Sequence, residues 1–245
     1  TGLVKALGLY QNLHWQACSD FEKADISREF GSVARWVYVA PNLTPVVAPD
    51  LNTTSSRAPG PLRIVFLSRI SPKKNLDFLL RVLAKVSINV ELAIYGPQED
   101  PQYWKHCFSL IEQLTENINV TLGGNVPQEQ VREVFSEHDV FVFPTRGENF
   151  GHVIFESLSA GTPVLVSDQT PWQSDGHGGI QVLSLDEPLW VDTIELWARF
   201  DEESLVKRHA AATDYAIQYT ANNLPLQQNR EVFYTAAMST KQKRV

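Results

Sequence analysis

Short apolar runs and longer amphipathic segments alternate along most of this chain. RIVFLS (63–68), VELAIYG (90–96), INVTLGG (118–124), DVFVFP (139–144) and TPVLVS (162–167) are each too short and too β-branched for a helix. They predict strands buried on both faces. Between them, 74–86, 101–115, 129–136 and 150–160 carry apolar residues at helical spacing. Strand and helix in this rhythm predict an α/β fold, a Rossmann-like parallel sheet with helices on both faces. Ligands of such sheets bind outside the carboxyl ends of the strands, where loops turn into helices.

Upstream, residues 1–47 hold a helix-like start, HWQACS as a candidate strand, a helix from Asp20 to Phe30 stopped at Gly31, and the apolar WVYVAPNL. The polar, Pro- and Gly-rich stretch 48–60 reads as a linker. The main domain is expected over 61–200. From about 188 the pattern turns purely helical, clearest at 203–220, and 201–245 reads as C-terminal helices.

Composition narrows the partners. The 245 residues are 43% apolar, enough for a proper core, and the net charge of −7 disfavours nucleic acid or an anionic membrane as main partner. Cys18 and Cys107 stand at no metal or redox spacing, which fits a reducing, cytoplasmic setting. No apolar run reaches the ~18 residues of a transmembrane segment. The sequons at Asn42, Asn52 and Asn119 then read as chance matches. The chain opens on Thr1 and its single methionine is Met238, so it reads as a piece of a longer protein.

Two loops carry candidate chemistry. In SRISPKKN (68–75), Arg69 and Lys74 are expected at a strand end and in the first turn of a helix, where unsatisfied N–H groups favour an anion; two cations there suit a diphosphate. The plainer reading makes the lysines solvated and Pro72 a helix start. In RGENFGHVIFESLSAG (146–161), Glu148 precedes a helix and Glu156 interrupts the apolar run VIFESL. Helical spacing places Val153, Ile154 and Leu158 on one apolar face, and His152, Glu156 and Ser159 on another. A buried carboxylate requires hydrogen bonds, and sugar hydroxyls are suitable donors. The plainer reading leaves Glu148 as a helix-start charge and Glu156 half exposed. GNVPQEQV (124–131) offers backbone for a flat base. His152 is weak as an acid or base, and His177 lies in a Gly-rich loop that either closes over a ligand or turns the chain. GxxxxGK[ST], GxGxxG and DxD are all absent, so no metal or other cofactor is expected.

Together these stretches resemble the C-terminal, donor-binding half of a GT-B glycosyltransferase of family GT4, the group 1 retaining enzymes. The resemblance covers 61–200 well and 1–47 weakly, and rests on ENFGHVIFE followed by AGTPVLVSD, with RISPKK in support. It implies that Arg69 and Lys74 hold the diphosphate, Glu156 the ribose and Glu148 the donor sugar. It further implies that Asn149 and the backbone amides of Phe150, Gly151 and His152 meet sugar and phosphate, and that Asn125 and Val126 cradle the base. The implied partners are a nucleotide-sugar donor and an acceptor sugar or lipid-linked glycan, the latter reached through an N-terminal domain not recognisable here. The parent would at most lie on the inner face of the cytoplasmic membrane. Donor binding without transfer is expected of this chain alone; a non-catalytic nucleotide-sugar-binding module and a nucleotide-sugar epimerase are the alternatives.

Overall fold

The computed structural model describes residue 10 and residues 13–45 and 60–242. The helix-like start of the chain, apart from residue 10, and the expected linker up to residue 59 lie outside the described residues. The chain divides into two compact units, Thr1–Pro45 with Thr220–Val245, and Val46–Tyr219.

In the first unit, β1 (His14–Ala17) and β2 (Trp36–Val39) pair in parallel, flanked by α1 (Asp20–Phe30). Ser19 caps α1 by accepting from the Glu22 amide, and Gly31 stops it. Asn229 donates to the Pro41 carbonyl and accepts from Gln16, tying helix α8 (Leu224–Gln242) to the start of the chain. A pairing over so long a sequence separation leaves no trace in local pattern.

The second unit is a six-stranded parallel sheet ordered β5-β4-β3-β6-β7-β8. Its strands are β3 (Leu62–Leu67), β4 (Val90–Tyr95), β5 (Ile118–Gly124), β6 (Val140–Phe143), β7 (Val164–Ser167) and β8 (Ile180–Leu183). Central β6 and β7 are buried at every residue, while edge strand β5 is mostly exposed, which is why the unbroken apolar runs lie in the middle. Helices α2 (Leu76–Leu83), α3 (Pro101–Ile111), α4 (Val131–Ser136), α5 (His152–Ser159), α6 (Glu187–Ala198) and α7 (Glu202–Ala221) follow or link the strands.

Two differences from the sequence expectations matter. The helix expected over 74–86 is α2, over Leu76–Leu83, so Lys74 and Pro72 lie in the turn before it. Asn75 at the cap adopts φ 63°, a left-handed conformation that delays the helix. The strand β8 was not foreseen, because IQVL is only four residues long and follows a Gly-rich loop.

The order reverses between β3 and β6. These strands pair at Ile64 with Val140 and at Val65 with Phe141, and no further. At the amino end Arg63 clamps them, its guanidinium 2.8 Å from Asp139, whose amide donates to the Arg63 carbonyl. Toward the carboxyl end β3 follows β4, with Ser68 N–H donating to Tyr95. A crevice therefore opens between the loops after β3 and β6, at the position where doubly wound sheets bind ligands.

Burial pushes the imidazoles of His138 and His209 below their ordinary value of 6.5, although Asp139 and the carbonyls of Val134 and Gly161 offset part of this. The unfolded chain thus takes up protons first, and stability is lost as pH falls from about 6.5 through the lower folded-state values. Denaturant midpoints are expected to drop across that window, and His209→Gln to flatten the drop. An unchanged pH profile in the variant would contradict the assignment.

Candidate functional site

The loop after β3 leaves the sheet alongside the loop after β4. Ile70 N–H donates to Pro97 and Glu99 N–H to Ile70, at 2.8 and 3.2 Å. Gly96 makes this approach possible: its φ is 127°, and a Cβ there would lie 1.9 Å from the Ser68 carbonyl oxygen. Arg69 projects from this junction and meets Glu99 at 2.5 Å in an exposed ion pair. Such a pair is worth little and opens readily.

Lys74 sits in a different setting. Its side chain and that of Glu148 are 10% and 12% exposed, and they form an ion pair across the crevice. The ammonium also lies 5.6 Å from the centre of the Phe143 ring. Thr145, fully buried at the end of β6, donates to the Lys73 carbonyl at 3.1 Å and has its hydroxyl 3.5 Å from Glu148 Oε1. Glu148 N–H donates to Gln169 at 3.0 Å, which fixes this loop to the end of β7.

Helix α5 begins immediately after. Gly151 caps it at φ 81°, where a Cβ would lie 2.8 Å from Ile154 Cδ1 and 3.4 Å from Glu148 Cγ. Phe150 is 5% exposed and packs against Trp172, whose indole N–H donates to the Phe150 carbonyl at 2.5 Å. The Phe150 side chain is therefore structural, and its backbone is what borders the crevice. His152 opens the helix on the surface with its ring 4.8 Å from that of Phe150, and Asn149 is exposed.

At the carboxyl ends of β3, β4 and β5 lies a hollow of about 400 Å³. Arg69, Asn125, Val126 and Glu156 line it together, with Gln128 and Val153 among their neighbours. Four expected residues from two separate loops and a helix thus share one cavity. Lys74, Glu148, Asn149, Phe150, Gly151 and His152 do not line it; they form the crevice and helix start around Gly151.

Two expectations need correction here. Val153 does not join Ile154 and Leu158 on the core face; it faces the cavity with Glu156, three residues along the same helix. Glu156 is half-buried rather than buried, and it accepts a 2.8 Å hydrogen bond from Gln128 Nε2. Thr145 and Gln128 carried no signal of their own in the sequence, since both are ordinary polar residues until the loops meet. Asp175 accepts from the amides of His177, Gly178 and Gly179, so the Gly-rich loop is tied down as a turn. Among the described residues no cluster of three metal-ligating side chains occurs, and no helix is long and apolar enough to cross a membrane.

The hollow is lined by one cation, Arg69, and one carboxylate, Glu156, and the Lys74–Glu148 ion pair lies outside its lining. The fold is that of the GT-B glycosyltransferases: sucrose-phosphate synthase from Thermosynechococcus elongatus superposes with a TM-score of 0.71 at 19% identity, covering 92% of this chain and 58% of that one. Anabaena HepE, solved in complex with UDP-glucose, gives 0.69 at 16% identity over 91% of this chain and 63% of its own. The sequence profile described as glycosyl transferases group 1 matches residues 52–175, and the chain belongs to that family. A D-inositol 3-phosphate glycosyltransferase from Stackebrandtia nassauensis is 31% identical over 169 residues, which are 63% of this chain and 38% of the relative. The chain spans less than half the length of the curated relatives it matches.

Removing one partner of a buried ion pair leaves the other charge uncompensated, at a cost of about 3–5 kcal/mol. Lys74→Met is expected to lower stability to urea by roughly 3 kcal/mol, and Lys74→Met with Glu148→Leu to recover most of it. A single variant as stable as the parent would show that the pair is not closed in solution.

Proposed function

We propose that the Val46–Tyr219 unit is the donor-binding half of a retaining glycosyltransferase that moves a sugar from a nucleoside diphosphate-sugar to an acceptor hydroxyl. The observation that carries this reading is the shared cavity of Arg69, Asn125, Val126 and Glu156, next to the Lys74–Glu148 pair and the start of α5. The base lies against Asn125 and Val126, and the ribose hydroxyls donate to Glu156, which Gln128 holds in place. Arg69 releases Glu99 and turns to the diphosphate. Lys74 and the amides at Gly151 and His152 take the distal phosphate, while Glu148 and Asn149 face the sugar.

On this reading the bond from the anomeric carbon to the diphosphate breaks as the acceptor oxygen attacks from the same face. The acceptor proton passes to the departing phosphate oxygen, so no protein nucleophile is used. Arg69 and Lys74 stabilise the negative charge as it develops, and the fixed loops hold the attacking and departing oxygens on one face of the anomeric carbon. The acceptor, a sugar or lipid-linked glycan in polysaccharide or glycolipid assembly, is handled by the part of such enzymes that this chain does not span. Similarity to a D-inositol 3-phosphate glycosyltransferase and to a phosphatidyl-myo-inositol mannosyltransferase supports a hydroxyl acceptor of this kind.

Glu156→Ala should weaken nucleotide binding by roughly 1–3 kcal/mol through lost charge-assisted hydrogen bonds, without a change in fold. Calorimetry with UDP, GDP and ADP checks this, and unchanged affinity would remove the ribose role. In the same assay Arg69→Ala should lower affinity for the diphosphate much more than for the nucleoside; equal losses would count against the phosphate role.

A further inference from the structure

The two loops that carry Lys74 and Glu148 are joined by more than that ion pair. Asn75, next to Lys74, is 2% exposed and holds φ 63°, a conformation that non-glycine residues adopt rarely. Both ends of its side chain reach the opposite loop: the amide nitrogen donates to the Pro144 carbonyl at 2.8 Å, and the amide oxygen accepts from Arg146 Nε at 2.9 Å. Arg146 adds a main-chain bond, its N–H donating to Lys73 at 2.8 Å, and sets its guanidinium 3.6 Å from Asp77. Burial pushes the Asp77 carboxyl up, but hydrogen bonds from Tyr103 and Arg81, with the charges of Arg81 and Arg146, outweigh it and keep the group ionised. Arg146 is thereby drawn toward Asp77, although it stands two residues from Glu148.

The strand ladder gives no support here, because β3 and β6 stop pairing at Val65 and Phe141. We propose that Asn75 and Arg146 are positioning residues, a clasp between the two loops that sets Lys74 and Glu148 at the spacing needed for the distal phosphate. This rests on the donor-binding reading above. The clasp explains why a buried, left-handed asparagine is used: glycine would adopt the same φ but could bridge neither Pro144 nor Arg146, and alanine would be strained there.

The test uses the 245-residue chain, with calorimetric affinities for UDP, GDP and ADP and for their monophosphates. Asn75→Gly keeps the backbone conformation and removes the side-chain bridge. Arg146→Ala removes the other half from an exposed position that folding tolerates. Each is expected to lower the diphosphate-to-monophosphate affinity ratio on the order of tenfold, the equivalent of about one charge-assisted hydrogen bond, with monophosphate binding unchanged. The double variant should lose no more than either single one, since both break the same link. The variants differ in charge, so a parallel loss identifies the clasp rather than the field of Arg146. Wild-type selectivity retained in both variants, or equal weakening of mono- and diphosphate, overturns the clasp alone. A wild-type chain that binds none of the three diphosphates overturns the donor-binding reading and the clasp with it.

Discussion

The short pairing between β3 and β6 is the constraint on which this site depends. A strand with full-length neighbours on both sides would send its loops out over a closed edge. Here the ladder ends after Val65 and Phe141, the strands part, and the gap is spanned by side chains and loop backbone. Arg63 and Asp139 hold the same two strands at the opposite end, so the opening is confined to the carboxyl side. The crevice is a property of topology first and of particular residues second.

Magnitudes separate the two ion pairs at this opening. Arg69 and Glu99 are both well exposed, so their attraction is screened and a phosphate can displace the carboxylate at little cost. Lys74 and Glu148 are nearly dry, and their attraction must offset several kcal/mol of desolvation per ion. Apolar residues of similar size would hold the loops together as well or better. On the donor-binding reading, the pair is kept there for a ligand that carries charge of its own. On that reading the exposed cation lies toward the cavity and the buried one toward the start of α5, where the amides add to it.

The strands and helices of the larger unit were legible because burial on both faces leaves Val, Ile and Phe runs that no helix or loop imitates. β8 was not, since four residues with Gln181 among them carry too little pattern. The positions of Arg69, Lys74, Glu148 and Glu156 were legible as charges that interrupt otherwise apolar or helix-starting segments. Their grouping was only half visible: Glu156 and Arg69 share a hollow, whereas Lys74 and Glu148 stand beside it, a division set by where the helix α2 begins. Asn75 delays that start through its backbone conformation, which residue type alone does not reveal. Gln128, Thr145 and Trp172 stayed hidden for a related reason, since their partners come from distant parts of the sequence. The hydrogen bonds of Asn229 with Gln16 and Pro41 are the extreme case of such long-range pairing.

A crystal structure of the 245-residue chain with the nucleoside diphosphate it binds most tightly would test the central claim most directly. The account predicts the ribose hydroxyls on Glu156, the base against Asn125 and Val126, and the terminal phosphate about 3 Å from Lys74 Nζ with Arg69 turned away from Glu99. Electron density for the nucleotide elsewhere, or a phosphate that leaves Lys74 and Arg69 untouched, would contradict it.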